Sequence, residues 1–220
     1  MFRSIVVVAS AAFFSAPIVV SSSSNVYAPA TNVNRVRATE TAVFAGGCFW
    51  GVEAVFEHVK GVTNAVSGYA GGTTVNPGYD AVSGGSTGHA EVVKVTYDPA
   101  VVSYEKLLEV FFTVAHNPTE LNRQGPDVGT QYRSAIFTAN TEQQKTATVF
   151  IAELTKARRY SRPIVTQVAP LKTFYAAEAY HQDYLPRHLT QPYIVYNDLP
   201  KLDELKKQYP TLWVEPAGRK

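Results

Sequence analysis

Residues 41–61 have the sequence TAVFAGGCFWGVEAVFEHVKG, in which a β-prone run, a glycine turn and a helical repeat follow one another. Thr41–Ala45 predicts a strand that ends at two glycines. Apolar side chains then recur at helical spacing, at Phe49, Val52, Phe56 and Val59. Gly61 ends this helix, and the apolar run Val62–Tyr69 predicts a second strand. The stretch and the run after it therefore predict a strand-helix-strand unit.

A second unit of the same kind follows. Glu91–Tyr97 has the alternation of a strand and ends at Asp98-Pro99. Ser103 can cap a helix that is broken at Asn117-Pro118, and Tyr132–Phe137 predicts the next strand. Two such units predict an α+β fold, a two-layer sandwich of helices on a small mixed sheet.

The rest of the chain contains loops, one long helix and a tail. Thr141 and Gln144 form a capping box for an amphipathic helix, and Val165–Val168 predicts a last strand. The segment from about Gln191 is predicted to be irregular, with one short polar helix near residues 201–208. Polar, glycine-rich sequence predicts two surface loops of the kind that often carries function, at residues 71–89 and 119–131.

Composition and charge limit what the chain can be. With 220 residues, 45% hydrophobic and 17% charged, it is large enough for one domain and too apolar for a disordered chain. The balance of 20 basic against 18 acidic residues, a net charge of +2, predicts neither nucleic-acid binding nor stable membrane association. The single cysteine excludes an internal disulfide and any cysteine-pair zinc site.

The N-terminal segment predicts export. Before Glu40 the chain contains no Asp or Glu, and Arg3 is followed by the apolar run Ile5–Val20. Small residues at Ala28 and Ala30 then suit cleavage after either of them. This order is typical of a secretory signal peptide, and the run is too short and too broken by Pro and Ser for a membrane span. We expect a periplasmic or secreted protein, with organelle targeting by a Ser-rich transit peptide as the alternative. The predicted divisions are a signal peptide, 1–30, and a linker, 31–40.

Cys48 is the first candidate for chemistry. It follows a strand and two glycines and lies at the start of a helix, where unpaired N–H groups and the helix dipole favour a thiolate. A free cysteine is about as often a small buried apolar residue, so position alone does not decide between a nucleophile and a core residue.

Glu91 is the second candidate. Its parity with Val93, Val95 and Tyr97 places it on the core-facing side of the strand, where burial raises a carboxyl pKa and suits a proton donor. The alternative is a strand-end glutamate tilted into water, which position alone favours slightly.

Aromatic side chains stand in polar loops or beside turns, at Phe49, Trp50, Tyr69, Tyr79 and Tyr132. Trp50 falls off the apolar face of the predicted helix, which fits a pocket wall, although core packing is the commoner role of aromatic residues. Asp127, in the sequence GPDVG, fits a turn.

Two further patterns lack the context that their chemistry needs. Residues 84–88, GGSTG, match the Gly-x-Ser-x-Gly nucleophile elbow, but the next segment has strand rather than helix periodicity. The five histidines have no metalloprotease spacing, so no metal site is predicted.

The sequence GGCFWG at residues 46–51 resembles the active-site signature of the A-type peptide methionine sulfoxide reductases. Further pieces match in the family's order: GYAGG (68–72), NPGY (76–79), TGHAE (87–91), YDP (97–99), RQG (123–125), DVGTQYRS (127–134), FYAAE (174–178) and YHQ (180–182). The resemblance covers residues 42–190. It implies a ferredoxin-like α+β fold and reduction of the S epimer of methionine sulfoxide, free or in proteins. The implied divisions are a catalytic domain, 41–192, and a C-terminal tail, 193–220.

The resemblance also implies roles for the candidate residues. Cys48 is the nucleophile that attacks the sulfoxide sulfur, and Glu91 gives a proton to the sulfoxide oxygen. Tyr79 and Tyr132 assist with hydrogen bonds. Repulsion between a thiolate and a carboxylate keeps Glu91 protonated.

The same resemblance describes the pocket and the product. Phe49 and Trp50 hold the S-methyl group, and Asp127 supports the polar side of the site. The attack releases methionine and leaves Cys48 as a sulfenic acid, the first step of thiol oxidation.

The chain departs from the family in its recycling step. Many relatives carry further cysteines that resolve the sulfenic acid as a disulfide, and this sequence has none. An external thiol, thioredoxin-like or glutathione-linked, is therefore the expected reductant, and no bound cofactor is expected. The substrate partners are oxidised proteins or peptides, and we expect a monomer.

Two other functions stay open. Cys48 with a histidine such as His89 would form a thiol-dependent acyl hydrolase, which releases acid product without consuming thiol. A non-catalytic secreted binding module would keep its binding activity after the loss of Cys48. Neither alternative explains the whole series of motifs.

Overall fold

The structure, a computed structural model, describes residues 1–2 and 38–216. A six-stranded mixed sheet forms the centre of residues 38–216. The strands are β1 (Glu40–Gly46), β2 (Val62–Ala70), β3 (Ala90–Tyr97), β4 (Arg123–Gln124), β5 (Asp127–Val128), β6 (Ser134–Thr138), β7 (Gln167–Pro170) and β8 (Phe174–Ala176). Six of them lie in the order β7-β6-β1-β3-β2-β8, and β4 and β5 form a separate ribbon. All neighbours are antiparallel except β6 and β7. The predicted signal peptide from residue 3 and the predicted linker up to residue 37 lie outside the described residues.

Helices connect these strands. They are α1 (Phe49–Glu57), α2 (Tyr79–Ser83), α3 (Tyr104–Val110), α4 (Thr141–Lys156), α5 (Tyr184–Arg187) and α6 (Leu199–Gln208). One π-helical turn, Phe111–Ala115, extends α3, and another, Ile194–Asp198, leads into α6. No helix in the described ranges has the length and apolar character needed to cross a membrane. The predicted α+β fold, with helices and a mixed sheet, is confirmed.

The main core lies between the helices and one face of the sheet. Phe49, Val52 and Phe56, which have the predicted helical spacing, are each no more than 1% exposed. Phe44 of β1 stacks on Phe56 with 5.0 Å between ring centroids and on Phe111 with 4.8 Å. A second, smaller apolar cluster lies on the other face of the sheet. This packing fixes the end of β1 and the start of α1, where Cys48 lies.

The segment that was predicted to be an irregular tail packs onto α1. Ile194 is fully buried against Ala54 of α1, and Leu205 of α6 is fully buried in the main core. The predicted short helix near residues 201–208 is confirmed, but the prediction of an irregular tail around it was wrong. Apolar residues recur every three positions along α6, at Leu199, Leu202 and Leu205, and give this polar helix one face that can be buried.

The loops contain more structure than predicted. The predicted loop 71–89 contains α2, and the predicted loop 119–131 contains the β4-β5 ribbon. The last predicted strand, Val165–Val168, begins two residues later as β7, and β8 was not predicted. These elements are very short, so their sequence periodicity is too brief to show.

The cap of α4 lies one residue before the predicted capping box. Asn140 Oδ1 accepts the N–H of Gln143 at 2.8 Å, and Gln143 Oε1 accepts the N–H of Ala139 at 3.0 Å. The prediction had paired Thr141 with Gln144. Asn is the better N-cap residue, which favours the earlier register.

Candidate active site

Cys48 occupies the N-cap position of α1, and one residue, Gly47, separates it from the end of β1. Gly47 has a φ of +92°, and a Cβ at this residue would lie 2.5 Å from the Cβ of Gln124. The turn therefore needs glycine for its backbone angle and for the close approach of β4. The Cys48 side chain is 9% exposed and belongs to the main core cluster.

Glu91 reaches the first turn of α1 from the neighbouring strand. It is 1% exposed, and its Oε2 accepts the N–H of Phe49 at 3.1 Å. This N–H is one of the donors that a helix start leaves without an intrahelical partner. The prediction that Glu91 faces the core is confirmed, and the alternative, a side chain tilted into water, is wrong.

Burial controls the ionisation of Glu91. It raises the pKa of this carboxyl to about 8, the N–H of Phe49 acts against it, and the charge of Asp127 raises the pKa further. The raised pKa that burial predicted for Glu91 is confirmed in direction. The charge that adds to burial is that of Asp127, whereas repulsion between Glu91 and Cys48 raises the pKa of the thiol.

The Cys48 thiol is also harder to ionise than an ordinary cysteine. Burial raises its pKa well above the usual value, and the charges of Glu91 and Asp198 add to this effect. The backbone hydrogen bond from Trp50 and the charge of Lys201 lower the pKa. The helix start was predicted to favour the thiolate, and its N–H group does act in that direction, but burial and the two carboxyl groups outweigh it.

Two tyrosines belong to the same electrostatic cluster. Tyr79 begins α2, and burial raises its pKa to about 12, with Glu91 and Cys48 as further causes. Tyr132 ends the 3-10 turn Thr130–Tyr132, and burial followed by the charge of Glu91 raises its pKa. Both phenols therefore keep their protons at neutral pH and can donate hydrogen bonds.

Glu178, which was not predicted as a site residue, holds Tyr79 in place. Its Oε1 accepts the N–H of Tyr79 at 2.8 Å, and its Oε2 accepts the hydroxyl of Tyr69 at 2.8 Å. The available signal was its place in the matched piece FYAAE.

Asp127 lies on β5 and is bonded to the C-terminal segment. The hydroxyl of Tyr193 donates to Asp127 Oδ2. Burial raises the pKa of Asp127, whereas this hydrogen bond and the charge of Lys201 lower it. Tyr193 was missed because it lies in the segment that was predicted to be irregular.

Phe49 and Trp50 form an aromatic wall next to Cys48 in sequence. Phe49 is buried and Trp50 is half-buried. The Trp50 ring stacks on Tyr184 with 3.7 Å between ring centroids, and its Nε1 donates to His181 Nδ1 at 3.1 Å. His181 and Tyr184 therefore set the orientation of the indole ring. Neither was predicted as a site residue, although His181 lies in the matched piece YHQ.

His89 and Ser86 serve other purposes than nucleophilic catalysis. His89 Nδ1 accepts the N–H of Gly72 at 3.1 Å, and its Nε2 bonds the carbonyl of Thr74 at 2.8 Å. Both ring nitrogens therefore hold the loop before β3. Ser86 is exposed and precedes a strand, so it does not form a nucleophile elbow.

Within the described ranges, no three His, Cys, Asp or Glu side chains gather as a metal site.

Comparison with known proteins gives concordant matches. Residues 40–212 match the family model described as peptide methionine sulfoxide reductase. Peptide methionine sulfoxide reductase MsrA 2 of Mesorhizobium japonicum is 59% identical over 177 residues, covering 80% of this chain and 91% of that protein. MsrA of Pasteurella multocida is 52% identical over 175 residues, covering 80% of this chain and 99% of that protein.

Two solved structures share the architecture. The reduced form of Mxr1 from Saccharomyces cerevisiae has a TM-score of 0.64 at 34% identity and covers 70% of this chain and 87% of that one. Methionine sulfoxide reductase A of Corynebacterium diphtheriae has a TM-score of 0.62 at 38% identity and covers 70% of this chain and 76% of that one.

Proposed function

Because the chain belongs to the peptide methionine sulfoxide reductase family, we propose that it reduces the S epimer of methionine sulfoxide, free or in proteins, with Cys48 as the nucleophile. The observation that carries this proposal is the turn in which Cys48 is followed by an N–H group bonded to the buried carboxyl of Glu91. At this turn the Cys48 thiol and the protonated Glu91 carboxyl group meet, because the carboxyl group is bonded to the residue that follows Cys48.

The chemistry needs both groups, because a sulfoxide sulfur is a poor electrophile until its oxygen is protonated or strongly hydrogen-bonded. Glu91, with a pKa of about 8, is protonated at neutral pH and gives its proton to that oxygen. Tyr79 and Tyr132 donate hydrogen bonds to the same oxygen.

Cys48 attacks the sulfoxide sulfur as a thiolate. The sulfur–sulfur bond so formed and the S–O bond of the substrate break as the oxygen passes to the Cys48 sulfur. Methionine leaves, and the proton of the original thiol replaces the one that Glu91 gave up. One thiol and one sulfoxide thus give one sulfenic acid and one thioether. In this scheme Phe49 and Trp50 contact the S-methyl group, and Asp127 supports the polar side of the substrate.

Recycling requires a thiol from outside the chain. The sequence contains one cysteine, so the Cys48 sulfenic acid has no second thiol of its own chain to attack it. An external thiol attacks this sulfur and releases water, and a second thiol then frees Cys48 and leaves as a disulfide. A thioredoxin-like or glutathione-linked partner fits this step, and no bound cofactor takes part.

Without reductant, the enzyme should release a burst of one methionine per chain and then stop. The sulfenic acid that accumulates should be trapped by dimedone, which mass spectrometry detects on Cys48. Added thiol should restore turnover at a rate that rises with thiol concentration, because attack on the sulfenic sulfur is bimolecular. Release of more than one methionine per chain without thiol would refute the scheme.

The function itself is tested with a methionine sulfoxide peptide and dithiothreitol, with the two epimers separated by chromatography. We expect the S epimer to disappear and the R epimer to persist. An acyl hydrolase would release acid without consuming thiol, and a binding module would produce no methionine. The engaged ring nitrogens of His89 argue against the hydrolase.

We also propose that the core is ferredoxin-like. Support comes from β6, β1, β3 and β2, which are neighbours in that spatial order. Along the chain they follow the order strand-helix-strand-strand-helix-strand, which is the order of this motif. In this assignment β7 and β8 extend the two edges of the motif.

We further propose that the protein acts as a monomer outside the cytoplasm on oxidised proteins or peptides, without nucleic acid and without stable membrane association. The near-neutral net charge of +2 supports the last two points. The proposed divisions remain a signal peptide, 1–30, a linker, 31–40, and a catalytic domain from 41, and residues 193–216 of the tail pack onto that domain.

Protein isolated from its native host should begin near Asn25–Thr31 and lie outside the cytoplasm. The reason is the apolar run that follows Arg3 and the small residues that suit cleavage. N-terminal sequencing after cell fractionation checks this prediction. A retained Met1 in the soluble cytoplasmic fraction would contradict it.

A further inference from the structure

A buried ion pair from the C-terminal segment lies against the first turn of α1. Lys201 Nζ donates to Asp198 Oδ1 at 3.0 Å; the Asp198 side chain is fully buried and that of Lys201 is 23% exposed. Such a pair is weak as a source of stability, because the desolvation of both charges offsets their attraction. The reaction steps above do not use it.

Gly51 provides the space for this pair. A Cβ at Gly51 would lie 2.0 Å from Asp198 Oδ1 and 2.8 Å from Lys201 Nζ. Any side chain at this position would therefore push both charged groups away from α1. The last glycine of the GGCFWG signature thus brings a carboxylate and an ammonium group to the helix turn that follows Cys48.

The second carboxylate oxygen of Asp198 is left without a partner. Among the described residues, Asp198 Oδ2 is buried and has no hydrogen-bond donor. Its charge is therefore balanced mainly by the Lys201 ammonium group. A carboxylate held in this way has a strong field in a medium that water does not screen.

Charged and titratable groups from several elements are coupled to Cys48. The charges of Glu91 of β3 and of Asp198 and Lys201 of the C-terminal segment act on its thiol. The charge of Cys48 in turn raises the pKa values of three tyrosines, after burial: Tyr79 of α2, Tyr132 of the 3-10 turn and Tyr193. Asp198 raises the pKa of the Cys48 thiol, whereas Lys201 lowers it. Lys201 also acts on Asp127 and His116. The pair therefore places opposite charges within electrostatic range of the nucleophile.

We propose that Asp198 and Lys201 are positioning residues of the reductase reaction: Lys201 stabilises the thiolate of Cys48, and Asp198 holds the Lys201 ammonium group and restrains ionisation of the resting thiol. This inference rests on the proposed role of Cys48 as the nucleophile. It also gives the segment after residue 193 a part in the chemistry.

Alkylation by iodoacetamide tests the proposal without turnover. The chain has one cysteine, so the alkylation rate reports Cys48 alone. Its pH midpoint should fall by about one unit in Asp198→Asn, because Lys201 then acts without an opposing charge. The midpoint should rise in Lys201→Met and return toward that of the parent in Lys201→Arg, which keeps the positive charge. A purely structural role would change thermal stability and leave the midpoint where it is.

Lys207→Met is the matched control. Lys207 pairs with Glu204 at 3.5 Å on the same helix and at the same spacing as Lys201 with Asp198, but its side chain is 78% exposed. The pH midpoint of Cys48 alkylation in Lys207→Met should equal that of the parent. Unchanged midpoints in folded Asp198→Asn and Lys201→Met would overturn the proposal.

A double variant covers the case in which Lys201→Met does not fold because Asp198 is left buried and unpaired. Asp198→Asn with Lys201→Met buries no charge, and its midpoint should lie above that of Asp198→Asn alone. Equal midpoints in these two proteins would also overturn the proposal. Methionine release by the parent is measured separately, so a failed reductase assay is distinguished from an unchanged alkylation profile.

Discussion

Cys48→Ser should lower methionine release to less than about one part in 10⁴ of the parent rate, since loss of a nucleophile removes the whole covalent path. A serine hydroxyl is not appreciably ionised near neutral pH and is a poor nucleophile toward sulfur. It also cannot carry the oxygen as a sulfenic acid. The remaining groups of the site can polarise the sulfoxide but have no atom to receive its oxygen.

The fold should survive this change, because serine is close to cysteine in size and Cys48 lies at a helix N-cap, where serine is favoured. Circular dichroism and thermal unfolding check the fold, and methionine release from a sulfoxide peptide with dithiothreitol checks the activity. Cys48→Ala should show the same loss, which separates the missing thiol from any effect of the new hydroxyl group. Activity near that of the parent in a folded Cys48→Ser protein would exclude Cys48 as the nucleophile.

The elements that frame the site could be predicted from sequence because local periodicity determines them. Phe49, Val52 and Phe56 repeat at helical spacing and are buried in α1, and the parity of Glu91 placed it correctly in the core. In each case the side chain's environment follows from its own strand or helix. Burial of Glu91, in turn, was enough to predict the direction of its pKa shift.

The ionisation of Cys48 could not be predicted in the same way. The start of its own helix favours the thiolate, but burial raises the pKa of the thiol most strongly. The charges of Glu91 and Asp198, which are far away in sequence, add to this effect. No pattern within residues 46–51 shows that the C-terminal segment returns to this turn. The same distance explains why Tyr193, the partner of Asp127, was missed.

The aromatic partners of Trp50 were missed for a different reason. His181 and Tyr184 lie in a segment rich in aromatic residues, and composition alone does not show which of them face the site. The stacking of Tyr184 on Trp50 and the hydrogen bond from Trp50 to His181 are tertiary contacts across about 130 positions of the chain. Sequence therefore indicated that this segment matters without indicating which side chain it positions.

Glu91→Gln should lower the rate of the first turnover by about 10²–10⁴-fold, the usual contribution of a positioned general acid. Gln keeps the shape of the side chain and can still accept the N–H of Phe49, so substrate affinity should change much less. Rapid-quench measurement of methionine release, with the sulfoxide peptide in excess and no thiol, isolates this step from recycling.

The pH dependence gives a second measure of the same role. Burial raises the pKa of Glu91 to about 8, so the carboxyl is protonated below that pH and loses its proton above it. The rate of the parent's first turnover should therefore fall as the pH rises through about 8, because Glu91 then has no proton to give. Glu91→Gln has no proton to lose there and should lack this decline.

Glu53→Gln is the matched control for this prediction. Glu53 is also 1% exposed, and burial followed by the charge of Asp183 raises its pKa to about 7. It accepts N–H groups of Ser67 and Asp183 and has no place in the reaction scheme. The rate of the first turnover in Glu53→Gln should stay within about tenfold of the parent rate. This decrease is smaller than the one expected when a general acid is lost. If Glu91→Gln were as mild as Glu53→Gln while Tyr79→Phe caused the large loss, the proton would come from the tyrosines and the assignment of Glu91 would be wrong.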